Sequence, residues 1–313
     1  MPHSHHSHSG QFCKHALGNL QEVVNEAIRQ RFRVYGLTEH VPRYRHIDLY
    51  PEESGTPVDA LSVQFINFVD EAHRLKHIHA SSIALLVGLE TEYITDDDLD
   101  QLGLLLSRLG PRVQYLVGSI HHVTGIPIDF DVPTYERALT NSSRDDEDPQ
   151  TAFLSAYFDA QYRLMQRFKP EIVGHFDLCR LFCPGLQFRN YPEVWEKIER
   201  NIRFAVAYGA LFEVNAAAFR KGWDSAYPAG DVVAAIHEAG GRFALSDDSH
   251  GPEQVGLNFH RLPAYFQAVG ITELWYLAES ETPNDAGRNV RPVRLDKDVL
   301  LDDFWDGGVP TMA

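Results

Sequence analysis

The fold this sequence predicts is an α/β barrel with a parallel sheet, and three observations lead there. Helical periods of apolar residues alternate with short apolar runs along all 313 residues, with no linker or low-complexity stretch between them. Such alternation is what a parallel sheet covered by helices requires. About seven or eight such units in one domain favour closing the sheet into a barrel over leaving it open. Finally, the residues just past successive strands are histidines and carboxylates, at the rim where a barrel gathers its active site.

The elements follow in order. Leu17, Leu20, Val23, Val24, Ala27 and Ile28 recur at three- and four-residue spacing over 17–31, the face of a core-facing helix. Val34-Tyr35-Gly36-Leu37 follows as a strand. A helix carrying Phe65, Ile66, Val69 and Ala72 precedes the strand Ala84–Leu89, and a helix near 97–109 precedes Val113–Val117. The polar stretch 141–150 reads as a surface loop. Beyond it, a helix near 151–168 leads to Ile172-Val173-Gly174, residues 191–207 lead to Leu211–Val214, and residues 230–239 lead to Phe243-Ala244-Leu245. A last helix near 262–269 precedes Leu274–Leu277. The expected organisation is one barrel over 1–313, with 291–313 docked on it as a C-terminal extension.

Composition narrows the function. The formal charge is −16, which repels a nucleic-acid backbone but allows a small anionic substrate where cations are concentrated locally. No apolar run approaches the roughly 20 residues that span a bilayer, and no signal-peptide pattern stands at the start. Three cysteines are too few for a disulfide framework and suit the cytoplasm. The count of 16 histidines is the unusual feature.

Half of those histidines fall in motifs at the start of the chain or at strand ends. His6-Ser7-His8 and His15 stand at the start, then Thr38-Glu39-His40, Glu90 with Glu92, Gly118-Ser119-Ile120-His121-His122, Gly174-His175-Phe176-Asp177, Glu213-Val214-Asn215 and Ser246-Asp247-Asp248-Ser249-His250. A lone polar residue at a strand end is usually a cap, but seven in succession converge on one rim. Imidazole with carboxylate selects zinc, iron or manganese over calcium. The set exceeds the four ligands of one tetrahedral zinc, so two or three ions are implied.

At this point the chain resembles the PHP family (polymerase and histidinol phosphatase), and within it the fungal histidinol-phosphatases. The resemblance rests on His6-Ser7-His8-Ser9-Gly10 with His15-Ala16, Leu37-Thr38-Glu39-His40, Gly88-Leu89-Glu90, Gly118-Ser119-Ile120-His121, and Ser246–His250 followed by Gly256. It implies a distorted (β/α)7 barrel of TIM-like form with a trinuclear metal centre. The implied ligands are His6, His8, His15, His40, Glu90, His121, His175, Asp248 and His250, with Glu90 bridging. Many members carry Asp where this chain has Ser4 and Glu39, positions expected to tune the ligands from behind.

A narrower similarity, in Gly174–Arg180 and Glu213–Lys221, implies phosphate-binding arginines and histidinol phosphate as substrate. Arg180 and Arg220 are the choices, with Lys221 beside them, since a guanidinium can donate twice to a phosphate; His122 either reaches the substrate or simply fills space. Glu92, Asp131 and Glu213 are candidates for the substrate's ammonium. The reaction expected is hydrolysis of the phosphomonoester by a hydroxide bridging two or three divalent ions, with Asp248 or His250 supplying the leaving group's proton. Other readings of the same residues are a phosphoesterase for another small ester or a nucleotide, and a metal-binding protein without catalysis.

Several residues are set aside. His3 and His5 give the first residues the look of an affinity tag, yet the motif runs on into His15-Ala16 without a linker. His73 and His77 lack the glutamate of a zincin helix and read as a surface pair. Cys179 and Cys183 read as buried packing.

Overall fold

The computed structural model describes residues 2–143, 147–295 and 305. Seven strands form one parallel sheet in chain order: β1 (His3–Ser4), β2 (Val34–Leu37), β3 (Ala84–Glu90), β4 (Tyr115–Gly118), β5 (Ile172–Val173), β6 (Leu211–Asn215) and β7 (Arg242–Ser246). The ends of the sheet meet. The Leu245 N–H donates to His3 Nε2 at 2.8 Å, and Ser4 Oγ donates to Asp247 Oδ1 at 2.9 Å. Just above, Ser249–His250 pairs in parallel with Ser7–His8. These links close the barrel between its first and last strands.

Helices fill the crossovers: α1 (Leu20–Arg29), α2 (Val58–Ile78), α3 (Asp96–Leu109), α4 (Val132–Ser142), α5 (Pro149–Phe168), α6 (Pro192–Tyr208), α7 (Gly230–Glu238) and α8 (Leu262–Val269). Local chemistry sets their bounds. Asn19 and Glu22 form a capping box at the start of α1, whose Leu20, Val23, Val24 and Ala27 are buried. Asp148 caps α5 by accepting from the Thr151 N–H. Gly209 ends α6 in the left-handed region at φ 88°. Helix α4 lies where the sequence offers only a short amphipathic stretch and was not anticipated.

The period of two along each strand sorts side chains between two cores. Tyr35, Leu37, Leu85, Val87, Leu89, Leu116, Phe212, Val214, Phe243 and Leu245 face the helices. Val34, Leu86, Tyr115, Val117, Ile172, Leu211 and Ala244 pack together inside the barrel. Tyr115 fills the axis because two neighbours have no side chain. A Cβ on Gly36 would lie 2.0 Å from the Tyr115 hydroxyl, and one on Gly88 would lie 2.6 Å from its ring. The phenol donates to the His5 carbonyl at 2.8 Å.

The last apolar run departs from expectation. Strand β8 (Trp275–Glu279) is not a further parallel strand of the barrel; it pairs antiparallel with β9 (Val290–Arg294). Tyr276, Leu277 and Val290 of this hairpin join the interior cluster, so the hairpin plugs the end of the barrel opposite the rim. Residues 291–294, assigned to an extension, therefore belong to the plug. Of the remaining extension only Leu295 and Trp305 are described; Trp305 packs against Phe259 and Phe266, and the rest lies outside the described residues. No described helix is long and apolar enough to cross a membrane.

Candidate metal centre

At the open rim every strand of the barrel delivers a polar side chain, and Glu90 at the end of β3 is the hub. Five imidazole nitrogens surround its carboxylate: His40 Nδ1 at 2.8 Å, His6, His121 and His175 Nε2 at 3.1 Å, and His8 Nε2 at 3.4 Å. Asp248 Oδ1 lies 3.8 Å from His6 Nε2, 3.7 Å from His8 Nε2 and 3.5 Å from His250 Nδ1. The His15 ring stacks toward those of His250 and His40, with centroids 5.1 and 5.3 Å away. All nine expected ligands are thus brought to one place.

Groups behind the histidines aim them. Glu213 Oε1 accepts from His6 Nδ1 at 2.9 Å, and Glu39 Oε2 lies 3.3 Å from His8 Nδ1. Each contact leaves Nε2 with its lone pair toward the centre, the way carboxylates orient metal-binding imidazoles. A Cβ on Gly174 would strike Ser119 Oγ at 2.5 Å and Val117 at 2.9 Å, so this strand end has room for glycine alone. Glu39 is itself fixed by the Ser9 N–H and hydroxyl at 2.9 and 3.0 Å. Asp247 is pushed up to about 6 by burial, and Gly256 N–H, the Ser4 hydroxyl and Tyr35 stabilise its carboxylate. Its neighbour Asp248 is held in the left-handed region at φ 46°, a conformation Asp tolerates better than most residues.

The donor set fits divalent ions. His6 Nε2, His8 Nε2, both nitrogens of His40 and Glu90 Oε2 are buried, yet none has a hydrogen-bond partner. So many unpaired polar atoms facing one another would be costly without a cation among them. Burial lowers His40 to about 3 and His15 to about 4, which keeps both neutral, the form that ligates. Burial opposes charge on Asp248, but His6 and His250 outweigh it and hold the carboxyl far below its usual range. His250 is lowered by burial and by His8. An ionised Asp248 and a neutral His250 are both suited to ligation.

The model for the PHP domain matches residues 4–217. The chain belongs to the PHP domain family. A "Probable histidinol-phosphatase" of Schizosaccharomyces pombe is 44% identical over 99% of this chain and 98% of its own. A histidinol-phosphatase of Saccharomyces cerevisiae is 32% identical over 97% of this chain and 99% of its own. The barrel superposes with a TM-score of 0.63 on the histidinol phosphate phosphatase of Lactococcus lactis, solved with zinc, L-histidinol and phosphate; that match is 18% identical and covers 88% of this chain and 95% of the other.

Within this PHP barrel a cavity of about 340 Å³ opens over the cluster of histidines and carboxylates. Arg220 and Lys221 line it, as the sequence suggested. Arg220 Nη2 donates to the Asp248 carbonyl at 3.2 Å, while Nη1 is buried and unpaired. Arg180 does not reach the cavity. It is 1% exposed, and its guanidinium is consumed by Asp177, Asp231 and the Leu186 carbonyl over the face of Phe188. Its place is structural, and the phosphate role is withdrawn.

Four other expected substrate contacts also lie elsewhere. Glu92 is buried behind the cluster, bonded to His122 Nδ1 at 3.0 Å and to the Tyr50 hydroxyl at 3.0 Å, so neither Glu92 nor His122 lines the cavity. Glu213 is committed to His6 and to the His175 N–H beneath the ligands. Asp131 is spent as the N-cap of α4, accepting from the Thr134 N–H at 2.7 Å.

The cavity wall instead carries Tyr50, Glu52, Asp129, Phe130, Tyr227 and Gln254, which sequence reasoning missed because loop residues show no period. Cys13 was missed too. It is buried, with Sγ 3.2 Å from His15 Nε2 and within ligand distance of His8, His40 and His250. Of the residues set aside, Cys183 is exposed rather than buried, and His73 is tied to the Arg112 carbonyl at 2.8 Å.

Proposed function

We propose that this chain is a metal-dependent phosphomonoesterase that hydrolyses L-histidinol phosphate to L-histidinol and phosphate, a step of histidine biosynthesis. The observation that carries the reading is the crowd of five imidazoles about Glu90, with the unpaired Nη1 of Arg220 at the same cavity. The relatives that match nearly the whole chain bear the histidinol-phosphatase name, which supports this substrate over other small phosphate esters. Two to three zinc, iron or manganese ions would sit among His6, His8, His15, His40, Glu90, His121, His175, Asp248 and His250. Such ions supply Lewis acidity and a nucleophilic water near neutral pH.

The side chains do the rest. Arg220 and Lys221 hold the phosphoryl oxygens on a chain whose net charge of −16 would otherwise repel them. Glu39 and Glu213 keep His8 and His6 from turning away. The loop after β2 brings Glu52 to the cavity, and the loop after β4 brings Asp129 and Phe130. Those carboxylates meet the ammonium of the substrate and Phe130 its imidazole, in the place first given to Glu92, Asp131 and Glu213. A small phosphorylated molecule is thus the partner, and the cytoplasm the compartment.

The test is phosphate release from histidinol phosphate by the metal-loaded protein, with Arg220→Ala alongside. Wild type should exceed its own kcat/KM for p-nitrophenyl phosphate by about a hundredfold or more. Arg220→Ala should lose about tenfold to a hundredfold with its metal content intact. Equal turnover of the aryl phosphate, or of a nucleotide, would remove the specific substrate.

A further inference from the structure

Tyr227 is fixed in the cavity wall from several sides. Its carbonyl accepts from the Asn215 N–H at 2.9 Å, and its N–H donates to the Asn215 carbonyl at 3.1 Å. Its ring meets Trp223 edge-on with centroids 4.8 Å apart, and the Trp223 indole is itself tied to the Leu181 carbonyl at 3.0 Å. The His175 ring lies on another side at 6.4 Å. Tyr227 is 1% exposed and lines the cavity, yet its hydroxyl has no hydrogen-bond partner. A buried hydroxyl left unpaired carries the full penalty of its lost hydration, so a fold that holds one rigidly beside a cavity leaves it for whatever occupies that cavity.

The character of the phenol narrows what that occupant offers. Burial raises its pKa well above the usual value, and Asp177, Asp129 and Asp248 raise it further while Arg220 opposes them. The group stays protonated and can donate. Arg220 Nη1 is a second buried donor without a partner, on the same cavity. Two unpaired donors beside a cluster built for cations suit an oxygen anion, because phosphoryl oxygens accept and do not donate.

We propose that Tyr227 is a further substrate-binding residue, its phenol donating to a non-bridging phosphoryl oxygen beside Arg220. This deepens the phosphomonoesterase reading and rests on it. The contact is to the part common to all phosphate esters, so it sets affinity and rate without choosing the alcohol.

The test is Tyr227→Phe, which keeps the ring and its packing. Inorganic phosphate titrated calorimetrically into the metal-loaded protein should bind about tenfold or more weakly, the scale of a hydrogen bond to a charged group. The kcat/KM values for histidinol phosphate and for p-nitrophenyl phosphate should fall together, with metal content unchanged and thermal stability equal or higher. Wild-type phosphate affinity overturns the proposal, as does a loss of affinity that tracks a loss of metal. Should wild type fail to turn over histidinol phosphate while Tyr227→Phe still weakens phosphate binding, the substrate reading fails and the role of Tyr227 stands.

Discussion

Replacing Arg180 by methionine separates a structural arginine from a catalytic one. Arg180 donates to Asp177 Oδ2 at 2.9 and 2.6 Å, to Asp231 at 3.1 and 2.6 Å, and to the Leu186 carbonyl at 3.1 Å. Asp177 also takes the Ala229 N–H at 2.9 Å, so the guanidinium ties the loop after β5 to the start of α7. Removing one partner of such a buried cluster leaves carboxylates unpaired and costs about 3–5 kcal/mol. That is a large share of the roughly 5–15 kcal/mol that stabilises a typical domain. For a chain of this length the melting temperature should drop by roughly 5–8 °C. Urea midpoints, metal content and kcat/KM would be measured together. The expected result is a protein that melts early yet keeps near-normal kcat/KM at low temperature. Arg180→Lys keeps one charge but cannot fork to both carboxylates, and should fall between. A methionine variant as stable as wild type but tenfold or more slower would refute the structural assignment and return Arg180 to the phosphate.

Two further outcomes follow from the cavity and its cluster. Elemental analysis of undialysed protein should find two to three zinc, iron or manganese ions per chain, and a strong chelator should lower the melting temperature because the ions bind only the folded site; one ion or none would contradict a shared centre. Glu52→Gln or Asp129→Asn should narrow the preference for histidinol phosphate over p-nitrophenyl phosphate by about tenfold for at least one position, as expected for losing a charge-assisted contact. An unchanged ratio in both would leave the ammonium without these partners.

Six of the nine expected ligand positions, His40, Glu90, His121, His175, Asp248 and His250, could be read at the rim because strand ends are marked twice, once by the apolar run that precedes them and once by the residue type that follows; His6, His8 and His15 follow no apolar run. The arginines could not be read this way. Arg180 and Arg220 both follow a strand end by a few residues, and only the turn between decides direction. A single 3₁₀ turn, Leu178–Arg180, folds the first back onto Asp177. One turn of helix, Ala217–Arg220, carries the second to the rim. Glu92 shows the same limit. It shares the strand face of Glu90, yet His121 and His122 stand between it and the cavity. The run ending in Leu277 failed for another reason, since a buried hairpin strand and a barrel strand are equally apolar and only pairing tells them apart. Glu52 and Asp129 sit in loops, where position depends on the whole scaffold and leaves no local trace.

The tyrosine that fills the barrel axis has a consequence for traffic. With Tyr115 across the middle and the hairpin stoppering the far end, the barrel is a cup rather than a tube. Everything that enters must leave by the same mouth, past Glu52, Asp129 and Phe130. With phosphate seated against the cluster as proposed, the alcohol would leave first. That order would trace back to two glycines, Gly36 and Gly88, whose missing side chains let the phenol ring close the floor.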